Sequence, residues 1–156
     1  MVTLSMIRMK MMSKVEYPVE ILDDGYDNGT MPDNVAELAN EIVGHKIVDA
    51  HIIQEQEYSW RKGTISVFEI VLDNGKRVQL APSDDCCAYT QLEAFLLNVE
   101  LVDHIITGVG TTGGYTTWHI YADYGDILAL KVGWSPGNPF YYGYGFNIRV
   151  KDIDGE

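Results

Sequence analysis

Apolar residues along this chain shift from helical to alternating spacing after Gly44, with one short helix expected among the strands that follow. Val35, Leu38, Ala39 and Ile42 recur three and four residues apart, which puts them on one face of a helix. Pro32-Asp33-Asn34 opens that helix, with Asn34 and Glu37 as a capping pair, and Gly44 supplies a left-handed residue to end it. From Lys46 to Gln54 the period falls to two, which predicts a strand. Thr64–Leu72 and Lys76–Leu80 predict a hairpin turned at Asn74-Gly75, both residues taking positive φ. Thr90 and Glu93 form a second capping pair, and Leu92, Phe95 and Leu96 share one face of the short helix expected there.

Beyond this point the pattern is strand-like. Leu101–Val109 and Tyr115–Ala122 are candidate strands, the second with Trp118, Ile120 and Ala122 on one face and Thr117, His119 and Tyr121 on the other. A turn at Asp123-Tyr124-Gly125 leads into Ile127–Trp134, where Leu128, Leu130, Val132 and Trp134 alternate inward. Ser135-Pro136-Gly137-Asn138-Pro139 reads as loop, and a last strand runs from Tyr144 to Lys151. Because hairpins dominate, the expected class is α+β: a mainly antiparallel curved sheet or partly open barrel of about seven strands with two short helices.

At 156 residues the chain fits one domain, placed at 15–156, and residues 1–14 are expected to form a poorly ordered extension. Five of the six methionines fall before Ser13, which points to a start further along, at Met12. Arg8 and Lys10 interrupt any apolar run there, so the segment is not a secretory signal. No apolar run approaches the about 20 residues of a membrane span. Charge changes the picture more than composition does. Twenty-three acids face eleven bases, giving a net charge of −12. Such a chain repels phosphate backbones and anionic membranes, so direct nucleic-acid and membrane binding are not expected. Its acidic surface suits a partner with a basic one. The two cysteines are adjacent and cannot staple distant segments, which fits a reducing cytoplasm.

Candidate chemistry is sparse. Asp23-Asp24-Gly25-Tyr26-Asp27 resembles half of a calcium loop, but the closing Glu of the twelve-residue pattern is missing, so no metal is expected. Gly108-x-Gly110-x-x-Gly113 spells the dinucleotide fingerprint, yet strand-like Tyr115–Trp118 follows where a helix N-terminus would have to stand. The glycines are read as a turn between strands, and no cofactor is expected. Cys86 and Cys87 stand before the second expected helix, where its dipole would favour a reactive thiolate, although Asp84 and Asp85 oppose one. His119 is a possible base or ligand on the outer face of its strand. Ten of the seventeen aromatic residues lie between Tyr115 and Phe146. Phe140, Tyr141, Tyr142 and Tyr144, with Trp134, Tyr115 and His119, are therefore the candidate binding residues for a protein or a small ligand. No catalytic constellation emerges.

The words Asp85-Cys86-Cys87-Ala88-Tyr89-Thr90, Val102-Asp103-His104-Ile105-Ile106-Thr107-Gly108 and Tyr115-Thr116-Thr117-Trp118-His119-Ile120-Tyr121-Ala122-Asp123 resemble a small domain of unknown function found in tailed bacteriophages of actinobacteria. The resemblance runs from Ile42 to Ile148 and implies context, not chemistry: an accessory protein acting in the host cytoplasm. The function expected is that of a non-enzymatic phage protein that binds and modulates a host protein of basic surface. The alternatives are a small-molecule sponge, a cysteine-dependent enzyme and a virion component.

Overall fold

The computed structural model describes residues 16, 17, 20, 30–56, 63–85, 88–137 and 144–152. The expected extension at 1–14, the loop at 23–29, Cys86, Cys87, Phe140, Tyr141 and Tyr142 lie outside the described residues. One helix and nine strands are present among those described. They run in the order α1 (Thr30–Ile42), β1 (Ile47–Gln56), β2 (Thr64–Leu72), β3 (Lys76–Ala81), β4 (Ser83–Asp85), β5 (Ala88–Leu97), β6 (Gly108–Thr112), β7 (Thr117–Ala122), β8 (Gly125–Ser135) and β9 (Asn147–Asp152). The class is α+β, but the strands form two antiparallel sheets rather than one curved sheet, and neither closes into a barrel. Sheet A has the order β1-β2-β3-β9 and sheet B the order β4-β5-β8-β7-β6.

Both sheets contribute to one hydrophobic core. Phe68, Ile70, Val78 and Leu80 from sheet A join Trp118, Ile120, Leu128, Leu130 and Val132 from sheet B. The rings of Phe68 and Phe95 meet across it at 4.8 Å. The chain changes sheets at Pro82, which stands between β3 and β4 where a ladder donor is not needed. Helix α1 turns Met31, Leu38 and Ile42 into the same core, as the spacing predicts. Gly44 ends it with φ of +93°, and its N–H donates to the Ile106 carbonyl.

Four expectations require correction. The helix begins at Thr30, and Asn34 is not its cap. Asn34 lies one turn inside, 7% exposed, and points at the chain before β9. Its Nδ2 donates to the Phe146 carbonyl at 2.9 Å, and its Oδ1 accepts from the Phe146 N–H at 2.8 Å. The helix expected after Thr90 is strand β5. A register shift between Leu92 and Ala94 inserts one extra residue. Leu92, Phe95 and Leu97 therefore pack against the core at spacings of three and two, and a bulged strand counterfeits a helical period. The strand expected from Leu101 starts instead at Gly108, because Asn98 folds the preceding stretch into turns: its Oδ1 accepts from Glu100 N–H and its carbonyl from Leu101 N–H. Finally, Gly108 and Gly110 sit within β6 and not in a turn; the turn is at 113–116.

The β2–β3 hairpin forms as expected with a different turn. Only Gly75 has positive φ, +89°, and its N–H donates to the Leu72 carbonyl. That is the three-residue loop Asp73-Asn74-Gly75 with its left-handed residue last. Strand β9 begins after Tyr144 and Phe146, which are buried ahead of it.

Replacing Asn34 by Ala would strand a buried N–H and a buried C=O at Phe146 together. The expected loss is about 3 kcal/mol, read as a lower urea midpoint at unchanged slope. A variant within about 0.5 kcal/mol of the parent would show that the two groups find other partners.

Candidate functional site

Of the seven aromatic and histidine candidates, four lie among the described residues, and the structure separates them into two groups. Tyr115, Trp134 and Tyr144 form one stack. The Tyr115 ring meets Trp134 edge-on at 6.1 Å, and Trp134 lies against Tyr144 at 5.7 Å. Tyr115 and Tyr144 are buried and Trp134 half-buried, so the stack is chiefly packing. Trp134 ties it to the 113–116 turn, its Nε1 donating to the Gly114 carbonyl, and Trp118 Nε1 from the core donates to the carbonyl of Tyr115.

The turn itself has an unusual backbone. Gly113, Gly114 and Tyr115 all have positive φ, at +69°, +70° and +65°. Consecutive left-handed residues aim neighbouring N–H groups at one point and form a concave anion seat. Glu20 occupies it. Its carboxylate accepts from Gly114 N–H and Tyr115 N–H, each at 2.8 Å, and its own carbonyl accepts from the Tyr115 hydroxyl.

His119 faces the other way, on the outside of sheet B. Its Nδ1 lies 2.7 Å from Asp126 Oδ2, and its Nε2 lies 2.8 Å from Thr112 Oγ1. Asp126 accepts only, so Nδ1 carries the proton and Nε2 receives the Thr112 hydroxyl in the neutral ring. Carboxylate, imidazole and hydroxyl stand in the order of a nucleophile-activating triad. The Tyr17 ring closes this face, however, stacking on the imidazole at 4.0 Å and donating its hydroxyl to Asp126 Oδ1 at 2.7 Å. Burial, and then this bond and the charge of Asp126, hold the Tyr17 phenol well above the ordinary tyrosine range. Gly110 makes the arrangement possible, because a Cβ there would collide with Tyr17. The network braces the Tyr17 segment against the sheet.

Between that segment and the helix lies a cavity of about 210 Å³, lined mainly by Val35, Ala39, Val109, Gly110, Tyr115 and Tyr17. Neither His119 nor Thr112 lines it. Among the described residues, no three His, Cys, Asp or Glu side chains converge to hold a metal ion.

Sheet A carries a second polar assembly, which sequence reasoning missed. His51, Glu69, Gln79 and Arg149 occupy successive strands in direct register and form one rung across its outer face. Glu69 is 2% exposed. Its Oε2 lies 2.8 Å from His51 Nε2 and accepts from Arg77 at 3.3 Å, while its Oε1 accepts from Gln79 Nε2 at 2.7 Å. Asp49 holds the other nitrogen of His51 at 2.8 Å. The readable signal was a glutamate inside the apolar run Val67-Phe68-Glu69-Ile70-Val71. Burial of Glu69 favours its neutral form, but the bonds from Gln79 and His51 and the Arg77 charge win, and its pKa is lowered. Burial likewise opposes charge on His51, yet its bonds to Asp49 and Glu69 and their charges win, and its pKa is raised.

These shifts fix a pH window. The raised His51 contributes stability that is complete below its ordinary 6.5 and lost as pH rises through its folded value. The lowered Glu69 contributes stability present above its ordinary 4.5 and lost as pH falls through its folded value. The stability advantage of the protein over His51→Asn, measured by urea unfolding, should be largest between those two values and shrink above them. An advantage that grows with pH above neutrality would contradict the assignment.

No curated protein and no solved structure matches the chain. A family profile does, from the last turn of α1 to the second residue of β9. It takes in both sheets and leaves Tyr17, Glu20 and most of the helix outside. Over residues 40–148, more than half its length, the protein belongs to the family described as a domain of unknown function, DUF7448.

Proposed function

We propose that the protein is a non-enzymatic binding module that docks on and modulates a host protein of basic surface, in the host cytoplasm and in the bacteriophage setting that the sequence resemblance implies. The observation that carries this reading is an apolar surface at one end of sheet B. Leu96 at the end of β5 is 71% exposed, and Val99 in the following turn is 73% exposed. Ile105, before β6, and Tyr124, in the β7–β8 turn, are also more than half exposed. The turns are packed together: the His104 ring meets Tyr124 edge-on at 5.4 Å, and Leu101 lies against Gly125. Large apolar side chains exposed on turns that pack together mark an interaction surface where they form one contiguous patch. Glu100, Asp103 and Asp123 are exposed around them. That acidic rim, on a chain of net charge −12, selects a basic partner and speeds encounter with it.

Tyr115 and Tyr144 of the aromatic stack are buried, and this reading rests on the turns instead. The second reading is a small-molecule sponge. The mainly apolar cavity beside α1 favours it, although at about 210 Å³ that space is below the usual ligand-pocket range.

The test compares the protein with a Val99→Ser/Tyr124→Ser variant in pull-downs from actinobacterial lysate at low and moderate salt. Both positions are exposed, so the melting temperature should hold. A stoichiometric partner held by the parent, weakened by salt and lost from the variant is the expected result. Equal capture by both proteins, or no partner at either salt, would overturn the docking surface.

A further inference from the structure

The anion seat at 113–116 is held in shape by the family domain, and the carboxylate that fills it comes from outside that domain. Trp134 Nε1 fixes the Gly114 carbonyl at 2.8 Å, and Trp118 Nε1 fixes the Tyr115 carbonyl at 3.0 Å. The C=O and N–H of a trans peptide point opposite ways, so the first of these bonds aims the Tyr115 N–H away from the indole and at Glu20. Tyr115 is buried and holds a φ of +65°, a conformation that costs a non-glycine residue energy and that collects at ligand clamps. Tyr17 is a second anchor, three residues before Glu20. Its ring stacks on His119, its hydroxyl donates to Asp126, and it passes over Gly110, where a Cβ would collide with it. The receiving groups all fall within residues 110–126, inside the matched family region, whereas Tyr17 and Glu20 fall outside it. Their fit is loose. A cavity of about 210 Å³ remains between the two anchors, α1 and β6, with Val35, Ala39 and Val109 among its apolar walls.

We propose that this face of sheet B is a recognition site for a peptide carrying a tyrosine three residues before a carboxylate, and that Tyr17 and Glu20 fill it in cis as a tethered competitor. The receiving groups set the class. Backbone N–H donors hold a carboxylate without any basic side chain, so a chain of net charge −12 still recognises an acidic peptide. The His119 imidazole offers a flat face to an aromatic ring, and Asp126 beside it accepts a hydroxyl, which selects tyrosine over phenylalanine. The apolar space beside the anchors is room that a partner with a large aliphatic side chain fills better than the resident segment does, and that contact drives the exchange. The seat stands at the opposite end of β7 from Tyr124, so the site does not depend on the docking surface.

The experiment is fluorescence anisotropy of a labelled peptide with the sequence Lys14–Leu22, titrated with the full-length parent and with full-length Glu20→Gln. The variant keeps the size of the side chain and loses its charge, so its own segment competes poorly for the seat. A tethered occupant acts at an effective concentration in the millimolar range. The peptide should therefore bind Glu20→Gln saturably and the parent about tenfold or more weaker. Changing the peptide's glutamate to glutamine, or its tyrosine to phenylalanine, should each weaken binding to Glu20→Gln by about tenfold, the worth of one hydrogen bond to a charged group. The amide signals of Gly114 and Tyr115, followed by NMR in both proteins, confirm that the turn is folded and should move as the peptide saturates. Equal binding by parent and variant, no saturable binding to either folded protein, or acetate binding as tightly as the peptide would each overturn the proposal. So would a dimer of the parent that dissociates in Glu20→Gln, since the segment would then sit in the seat of a second copy.

Discussion

Gly145 and Phe146 lie between β8 of sheet B and β9 of sheet A, and bonds from outside the sheet ladders satisfy their backbone groups. Gly145 N–H donates to Thr90 Oγ1 of β5, and its carbonyl accepts from Ser83 Oγ of β4. Phe146 exchanges both of its groups with Asn34 of α1. The helix and the paired strands β4 and β5, far from one another in sequence, thus meet on two residues, and the rings on either side lock the contact. Phe146 packs edge-on to Trp118 at 5.3 Å, and Tyr144 stacks on Trp134. Backbone groups buried here without partners would cost about as much as a large share of a small domain's stability. The strand that follows, β9, carries Arg149 into the rung on sheet A, so that surface inherits its geometry from this crossing.

Much of the fold was legible in the sequence because two periods carry most of the information. The helix face of Leu38 and Ile42, the β2–β3 hairpin and the inward set Trp118, Ile120, Leu128 and Leu130 all follow from spacing and burial. Strand β5 was not legible, since one extra residue near Glu93 shifts the alternation and leaves a spacing that a helix shares. Nor was the role of Asn34. A capping asparagine and a buried asparagine that pairs with backbone 112 residues away look alike locally, and only tertiary placement separates them. The division into two sheets turns on Pro82, whose meaning depends on which sheet each neighbouring strand joins.

The candidate sites were less legible than the fold. Aromatic density at Tyr115, Trp134 and Tyr144 marked a packing centre, because large rings bury the most surface and glycines beside them give the room. The exposed apolar side chains Leu96, Val99, Ile105 and Tyr124 are scattered singly in sequence, and the helical or alternating periods say nothing of them. Charge behaves similarly. A chain of net charge −12 places four of its eleven bases, Lys76, Arg77, Arg149 and Lys151, on the adjacent strands β3 and β9. The net value describes neither that face nor the acid-rimmed turns of sheet B.

The most direct test of this account is native-state hydrogen exchange at the amides of Gly145 and Phe146. If the crossing holds the two sheets and the helix as one cooperative unit, both amides exchange only through global unfolding, with the same opening free energy as Trp118 and Leu130 in the core of sheet B. Exchange of Gly145 and Phe146 by a local opening well below that energy would contradict it, and would mean that the sheets hold together without the contact assigned here as their join.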